Sequence, residues 1–253
     1  MPATVGQILG LLEGIAPLEL AEEWDNVGLL AGNPDSPVER VLCALDMSAA
    51  VIDEAVALGA QLVVTHHPIL FRGRKNLRDV DAEGRMLCAL IRSNLAMIAM
   101  HTNYDNACPG VNDALASRLG LQDVEALEEG MRVGVTDRGS LRAFADFAAS
   151  RLGGVVRRYG APDAPVRRVA VLGGAGEDFV WRAMAAGADV YLTGDMAYHK
   201  GTDAVENGLC VLEAGHAATE HPGILALSAA LQKAADDVQY NIRVFDSKAG
   251  LYL

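Results

Sequence analysis

Gly59-Ala60-Gln61-Leu62-Val63-Val64-Thr65-His66-His67-Pro68 is the stretch that decides the fold. A glycine is followed by a short apolar run, and the run ends in two histidines and a proline. A short apolar run bounded by turn residues reads as a buried strand. Upstream, Val41-Leu42-Cys43-Ala44-Leu45 is a second such run. Between the two, Ser48 supplies a helix N-cap and Gly59 a helix stop. The sum is a βαβ unit, whose strands run parallel.

Outward from this unit the pattern continues. A polar loop from Arg72 to Asp79 precedes a helix over about 82–93, and Leu95 to Met100 is a third strand. It ends at His101-Thr102-Asn103-Tyr104-Asp105, and a helix follows from Val111 to Leu119. At the start of the chain, Thr4 and Gln7 form a capping box. Val5, Ile8, Leu9 and Leu12 then share one helical face, and Pro17 ends that helix.

The second half repeats the plan. Gly187-Ala188-Asp189-Val190-Tyr191-Leu192-Thr193 matches Gly59 to Thr65 at a constant offset of 128 residues. Val169 to Leu172 is the preceding strand, Gly173-Gly174-Ala175-Gly176 a turn, and Asp178 to Ala186 a helix. Leu209 to Leu212 is the next strand, ending at Gly215-His216-Ala217-Ala218-Thr219-Glu220. Between the halves, Leu141 to Leu152 reads as an amphipathic helix, and Pro162 and Pro165 bracket a linker. Tyr240 to Phe245 is the last strand. The expected class is α/β, with an N-terminal half over 1–125, a C-terminal half over 126–253, and mainly parallel sheets.

Composition narrows the function. The 253 residues hold 21 Lys plus Arg against 33 Asp plus Glu, a formal charge of −12. That balance argues against nucleic acid or an anionic membrane as partner, since both need a basic footprint. Apolar residues make up 51% and charged residues 21%, the profile of a folded chain rather than a disordered one. No apolar run reaches the roughly 18 residues of a membrane span. The absence of Lys or Arg before Arg40, and the presence of Glu13, Glu19, Glu22 and Glu23, predict neither a secretory nor a mitochondrial leader. Cys43, Cys88, Cys108 and Cys210 form no C-x-x-C pair, so a reducing, cytoplasmic location is expected.

The chemistry should lie just past the strands, where parallel sheets bind ligands. All six histidines fall there: His66 and His67, His101, His199, and His216 and His221. His66-His67 alone reads more readily as a structural pair bonded to backbone than as a site. Two further pairs change the reading. His101 and Asp105 are four apart, and so are His216 and Glu220. An imidazole and a carboxylate one turn apart can converge on one metal. Three imidazoles and two carboxylates exceed one tetrahedral zinc site and fit two divalent ions. No thiolate is required, which disfavours copper(I) and iron–sulfur clusters and leaves zinc, iron, manganese, cobalt and nickel. His199 reads as a proton carrier or a structural histidine, and Gly173–Gly176 as a phosphate-holding turn or a plain tight turn. Asp195, aligned with His67 in the repeat, reads as a support for the ligands. Asp25 and Asn26 could orient ligands, while Trp24 reads as packing and Cys108 as inert.

Five motifs in order now carry a resemblance. They are Glu23-Trp24-Asp25-Asn26-Val27-Gly28-Leu29, Thr65-His66-His67-Pro68, His101-Thr102-Asn103-Tyr104-Asp105, Thr193-Gly194-Asp195 with His199, and Gly215-His216 with Thr219-Glu220. Together they resemble the GTP cyclohydrolase I type 2 homologue family, also called NIF-three-like, from residue 23 to residue 220. The resemblance implies two linked α/β domains with a dinuclear metal site between them, and a ring-shaped homohexamer. Its implied metal ligands are His66, His67, Asp105, His216 and Glu220, with His101 a neighbour of the ligands. Longer members carry an inserted domain, for which 253 residues leave no room. Ala217 and Ala218 stand where an aromatic often follows the equivalent histidine.

The expected function is that of a metal-dependent hydrolase, with two divalent ions activating water and His101 or His199 carrying protons. Its substrate would be GTP, as the family label implies, or another phosphorylated or heterocyclic metabolite. The alternative is a protein of metal storage, delivery or sensing that serves as an oligomeric platform.

Overall fold

The structure is a computed structural model that describes residues 3–249. In chain order, the first stretch holds β1 (Ala3–Thr4), α1 (Val5–Ile15), β2 (Gly28–Ala31), β3 (Pro37–Val38), β4 (Arg40–Ala44), α2 (Ala49–Leu58), β5 (Leu62–Thr65), α3 (Ala82–Arg92), β6 (Ala96–Ala99) and α4 (Thr102–Asn106). Then come α5 (Val111–Arg118), β7 (Gln122–Ala126), β8 (Arg132–Ser140), α6 (Leu141–Leu152), β9 (Arg157–Tyr159) and β10 (Pro165–Leu172). The last are α7 (Val180–Ala185), β11 (Val190–Thr193), α8 (Tyr198–Glu206), β12 (Cys210–Glu213), α9 (His216–Asp237) and β13 (Arg243–Asp246).

The local signals act as chemistry requires. Thr4 accepts from the Gln7 amide and the Gln7 side chain answers the Thr4 amide, which closes the capping box on α1. Ser48 caps α2 through the Val51 amide. Gly59 ends that helix at φ +64°, a conformation that costs glycine nothing. Ser140 and Gly153 bound α6 in the same way.

The described residues form two compact units. The first holds the chain through Ala107 together with the residues from Ile224 onward, and the second holds Cys108–Gly223. The first has a five-stranded sheet of order β13-β4-β5-β6-β2. Strands β13, β4, β5 and β6 are mutually parallel, and β2 runs antiparallel at the edge. Residues of α2 and α3 bury one face, with Val51, Ile52, Ala55 and Leu90 against Leu42, Val63 and Met97.

The second unit has a six-stranded sheet of order β7-β8-β10-β11-β12-β9. Only its middle, β10-β11-β12, is parallel. The expectation of mainly parallel sheets therefore needs correction here, because β7, β8 and β9 add antiparallel pairs. Strands β7 and β8 are joined by only residues 127–131, and so short a connection cannot carry a parallel crossover. The sheet is buried on both faces. Val169 and Val171 of β10 enter one cluster with Leu141, Phe144 and Ala148 of α6. Ala170 and Leu172 enter another with Tyr191 and Val211. Two buried faces explain why these strands read as continuous apolar runs.

Two more readings change. Pro162 and Pro165 do not mark a linker between units: Ala164 bonds back to Ala161 in a turn, and Pro165 opens β10. The strand near the C-terminus does not extend the second sheet. Strand β13 pairs in parallel with β4, Val244 opposite Val41, and so completes the first sheet. For this reason the units do not follow a single cut at residue 125.

Candidate metal centre

In the first unit, three parallel neighbours release polar residues at their carboxyl ends. Strand β4 leads to Asp46, β5 to His66 and His67, and β6 to His101 with Asp105 on α4. The sheet register thus gathers groups far apart in sequence. The rings of His66, His67 and His101 lie 5.0, 5.1 and 5.5 Å apart, centroid to centroid. One ligand nitrogen from each lies within 4.8 Å of those of the others. Asp105 Oδ1 stands 3.6 Å from His66 Nε2.

Each ring is held by its Nδ1. That of His66, on a ring with no exposed surface, donates to the Met100 carbonyl at 2.8 Å. His67 Nδ1 lies 2.7 Å from Asp46 Oδ1. His101 Nδ1 lies 2.9 Å from both oxygens of Asp25. A carbonyl or carboxylate oxygen can only accept, so each Nδ1 must carry the proton. Nε2 is then the unprotonated nitrogen of each ring. This is how metal-binding histidines are oriented in general.

Asp25 is itself tightly held. Burial works against its ionisation. The bonds from His101 and Thr102 outweigh burial and keep its carboxyl well below the usual carboxylate range. Asn26 donates to the Leu70 carbonyl at 2.6 Å and so ties its loop to the one carrying Phe71. Trp24 and Phe71 meet edge to face, with centroids 5.7 Å apart, and both also edge His101.

The second unit repeats the device. Strands β10, β11 and β12 end at the Gly173 turn, at Gly194-Asp195, and at Gly215-His216. His216 Nδ1 lies 2.6 Å from Asp195 Oδ2, and Nε2 lies 3.2 Å from Glu220 Oε1. The Glu220 bond is the largest cause that raises the His216 pKa, to about 9, with Asp195 adding to it. Glu220 is buried while Asp195 is exposed.

The Gly173–Gly176 turn lies close against Glu220 and Thr219. Three of its four amides are committed: Gly173 to Asn112 Oδ1, Gly174 to Thr219 Oγ1, and Gly176 to Thr193 Oγ1. A Cβ on Gly174 would sit 2.2 Å from Glu220 Oε1. The glycines let the turn close over the carboxylate.

The structure brings together His66, His67, His101 and Asp105 in one unit, and His216 with Glu220 in the other. It does not join His199 to His216 or Glu220 by any hydrogen bond. His199 is exposed in the first turn of α8, edge-on to Tyr198 at 5.2 Å. Asp46 was not identified from the sequence. Its signal was position alone, just past β4, where an acid at the end of a site strand has reason to be. Cys43, Cys88, Cys108 and Cys210 are all free, with Cys43 buried and Cys108 exposed.

Histidine nitrogens and carboxylate oxygens in this arrangement define a chain with groups able to hold a divalent metal ion. The profile of Duf34/NIF3 (NGG1p interacting factor 3) matches residues 3–250, and the chain belongs to that family. It is 39% identical to the Streptomyces coelicolor GTP cyclohydrolase 1 type 2 homolog, over 96% of this chain and 91% of that protein. The Clostridium perfringens protein of the same name is 33% identical over 93% of this chain and 94% of that one. Among solved structures, the Bacillus cereus protein related to NIF3 superposes with a TM-score of 0.95 at 26% identity. That match covers 99% of this chain and 98% of the other. Among the described residues no helix is long and apolar enough to cross a membrane.

Proposed function

We propose that this chain is a metal-dependent hydrolase that holds two divalent ions through His66, His67, Asp105, His216 and Glu220. The observation that carries the reading is the fixing of His66, His67 and His216 by their Nδ1 atoms. A structural histidine needs no such uniform orientation. The donor chemistry, nitrogen and carboxylate oxygen without thiolate, suits zinc, iron, manganese, cobalt or nickel. Ions of this kind supply Lewis acidity and lower the pKa of water toward neutrality.

The chain's own residues do the rest. Asp46 and Asp195 orient two of the imidazoles, and the Gly174 turn seats Glu220. His101 lies beside the ligands and carries protons, with His199 a second candidate. The substrate class is a small phosphorylated or heterocyclic metabolite. GTP is the first to try, given the name shared by the relatives. A homohexamer rests on the family resemblance, and residence in the cytoplasm on the four free cysteines.

The test is elemental analysis of untagged protein prepared without chelator. About two divalent ions per chain are expected, falling sharply in Asp105→Ala and Glu220→Ala. Turnover of GTP and related phosphates is then measured on the loaded protein. Near-zero metal that added zinc, iron or manganese cannot restore would overturn the site. Two exchangeable ions without turnover would favour storage, delivery or sensing instead.

A further inference from the structure

The Asp25 carboxylate lies beside the imidazole cluster, and the ligand set makes no use of it. Its side chain has no exposed surface. It accepts from His101 Nδ1 through both oxygens at 2.9 Å. It also accepts from the Thr102 amide at 3.0 Å and the Thr102 hydroxyl at 2.5 Å. Thr102 Oγ1 in turn accepts from the Glu22 amide at 3.0 Å. The loop before β2 is thereby fastened to the first turn of α4, and His101 sits in the middle of the fastening.

We infer that Asp25 is the positioning residue that fixes His101 as its Nδ1–H tautomer, so that Nε2 faces the cluster as a proton acceptor. This rests on the hydrolase reading above and adds a residue to it. A carboxylate that bonds with both oxygens can hold only a donor, so the opposite tautomer would lose those bonds. His101 is 15% exposed, enough for water to reach it. The ring is held on its far side, as in the carboxylate–imidazole pairs that activate a hydroxyl nucleophile. In the step it serves, the O–H bond of a water breaks as Nε2–H forms. The electron pair left on oxygen makes the new bond to the electrophilic carbon or phosphorus of the substrate. The bond from that carbon or phosphorus to its leaving group breaks, its electron pair goes to the departing atom, and the imidazolium gives that atom its proton, so the ring ends as it began. Trp24 and Phe71, both exposed, flank the ring and limit how it can turn.

The experiment is long-range nitrogen–proton NMR on full-length protein with ¹⁵N-labelled histidine, read on wild type, Asp25→Asn and His101→Gln. His101→Gln assigns the signal. Wild type is expected to show His101 with Nδ1 protonated and Nε2 bare. Asp25→Asn is expected to shift His101 largely to the Nε2–H form, while its metal content per chain stays within about a tenth of wild type. Hydrolytic kcat, where a substrate is in hand, should fall at least a hundredfold with little change in KM. An Nε2–H tautomer in wild type would overturn the inference without any variant. An unchanged tautomer in Asp25→Asn would overturn it as well. Loss of metal from wild type would instead refute the hydrolase reading, and the tautomer would still be readable.

Discussion

Gly194→Ala is expected to destabilise the second unit by about 3 kcal/mol or more, the upper part of the range for overpacking a fixed site. A Cβ at this position would lie 2.5 Å from the Gly174 carbonyl oxygen, 2.8 Å from His216 Cα and 2.8 Å from Thr219 Oγ1. Two of these three are backbone and cannot swing aside. The Gly174 carbonyl also accepts from the Asp195 amide, and Gly194 O accepts from the Gly215 amide. Any shift made to fit the methyl is therefore passed to the strand end that carries His216. Gly187→Ala is the control. It has φ +69° but nothing within 4 Å of its Cβ, so only the local strain of about 1–2 kcal/mol remains. Urea unfolding of both variants decides the matter. Equal losses would show that crowding at Gly194 is relieved elsewhere.

Metal binding should tighten steeply with pH, and the sign follows from His216. Its pKa is raised to about 9 because Glu220, and then Asp195, favour the charged ring. A divalent ion takes only the neutral ring, so binding must expel that proton. Affinity at this half of the site should therefore climb by about a factor of ten per pH unit from pH 6, and level off near pH 9. Between those limits the gain is on the order of several hundredfold. The metal-free fold runs the other way. Protonation of His216 stabilises it fully below its ordinary pKa of 6.5, and that contribution is lost as pH rises through about 9. Cobalt titrations followed by visible absorption, with the metal buffered at each pH, would measure the first effect. A flat profile would mean that His216 is not a ligand.

Much of this was legible because strand ends and helix caps are local. Ser48, Gly59, Ser140 and Gly153 each announce an element boundary through their own backbone chemistry. His66-His67 and His101 could be placed at strand ends because parallel buried strands are apolar throughout and stop abruptly. Other features were beyond the sequence for equally physical reasons. The antiparallel pairs of β7, β8 and β9 depend on which edges remain open, and β7 has no buried residue to give it a pattern. The pairing of β13 with β4 joins segments some two hundred residues apart. The glycines at 173–176 read as a turn in either case. Only the position of Glu220 beneath Gly174 shows that close approach is what Gly174 provides. Asp46 and Asp25 escaped firm assignment because an acid that steadies an imidazole needs no fixed spacing from it.

The place of β13 bears on how the chain is made. Ribosomes release the amino terminus first, and domains tend to fold as they emerge. Here the second unit is one unbroken stretch, Cys108–Gly223, whereas the first awaits its final strand. Until Arg243–Asp246 has left the exit tunnel, β4 offers a bare row of peptide groups to any extended neighbour. A chain stopped before Arg243 is accordingly expected to associate through that edge, which light scattering would detect. A truncation that stays monomeric would mean the edge is shielded by other means. The later segment thus guards the earlier one, and the first sheet is complete only when β13 has emerged beside β4.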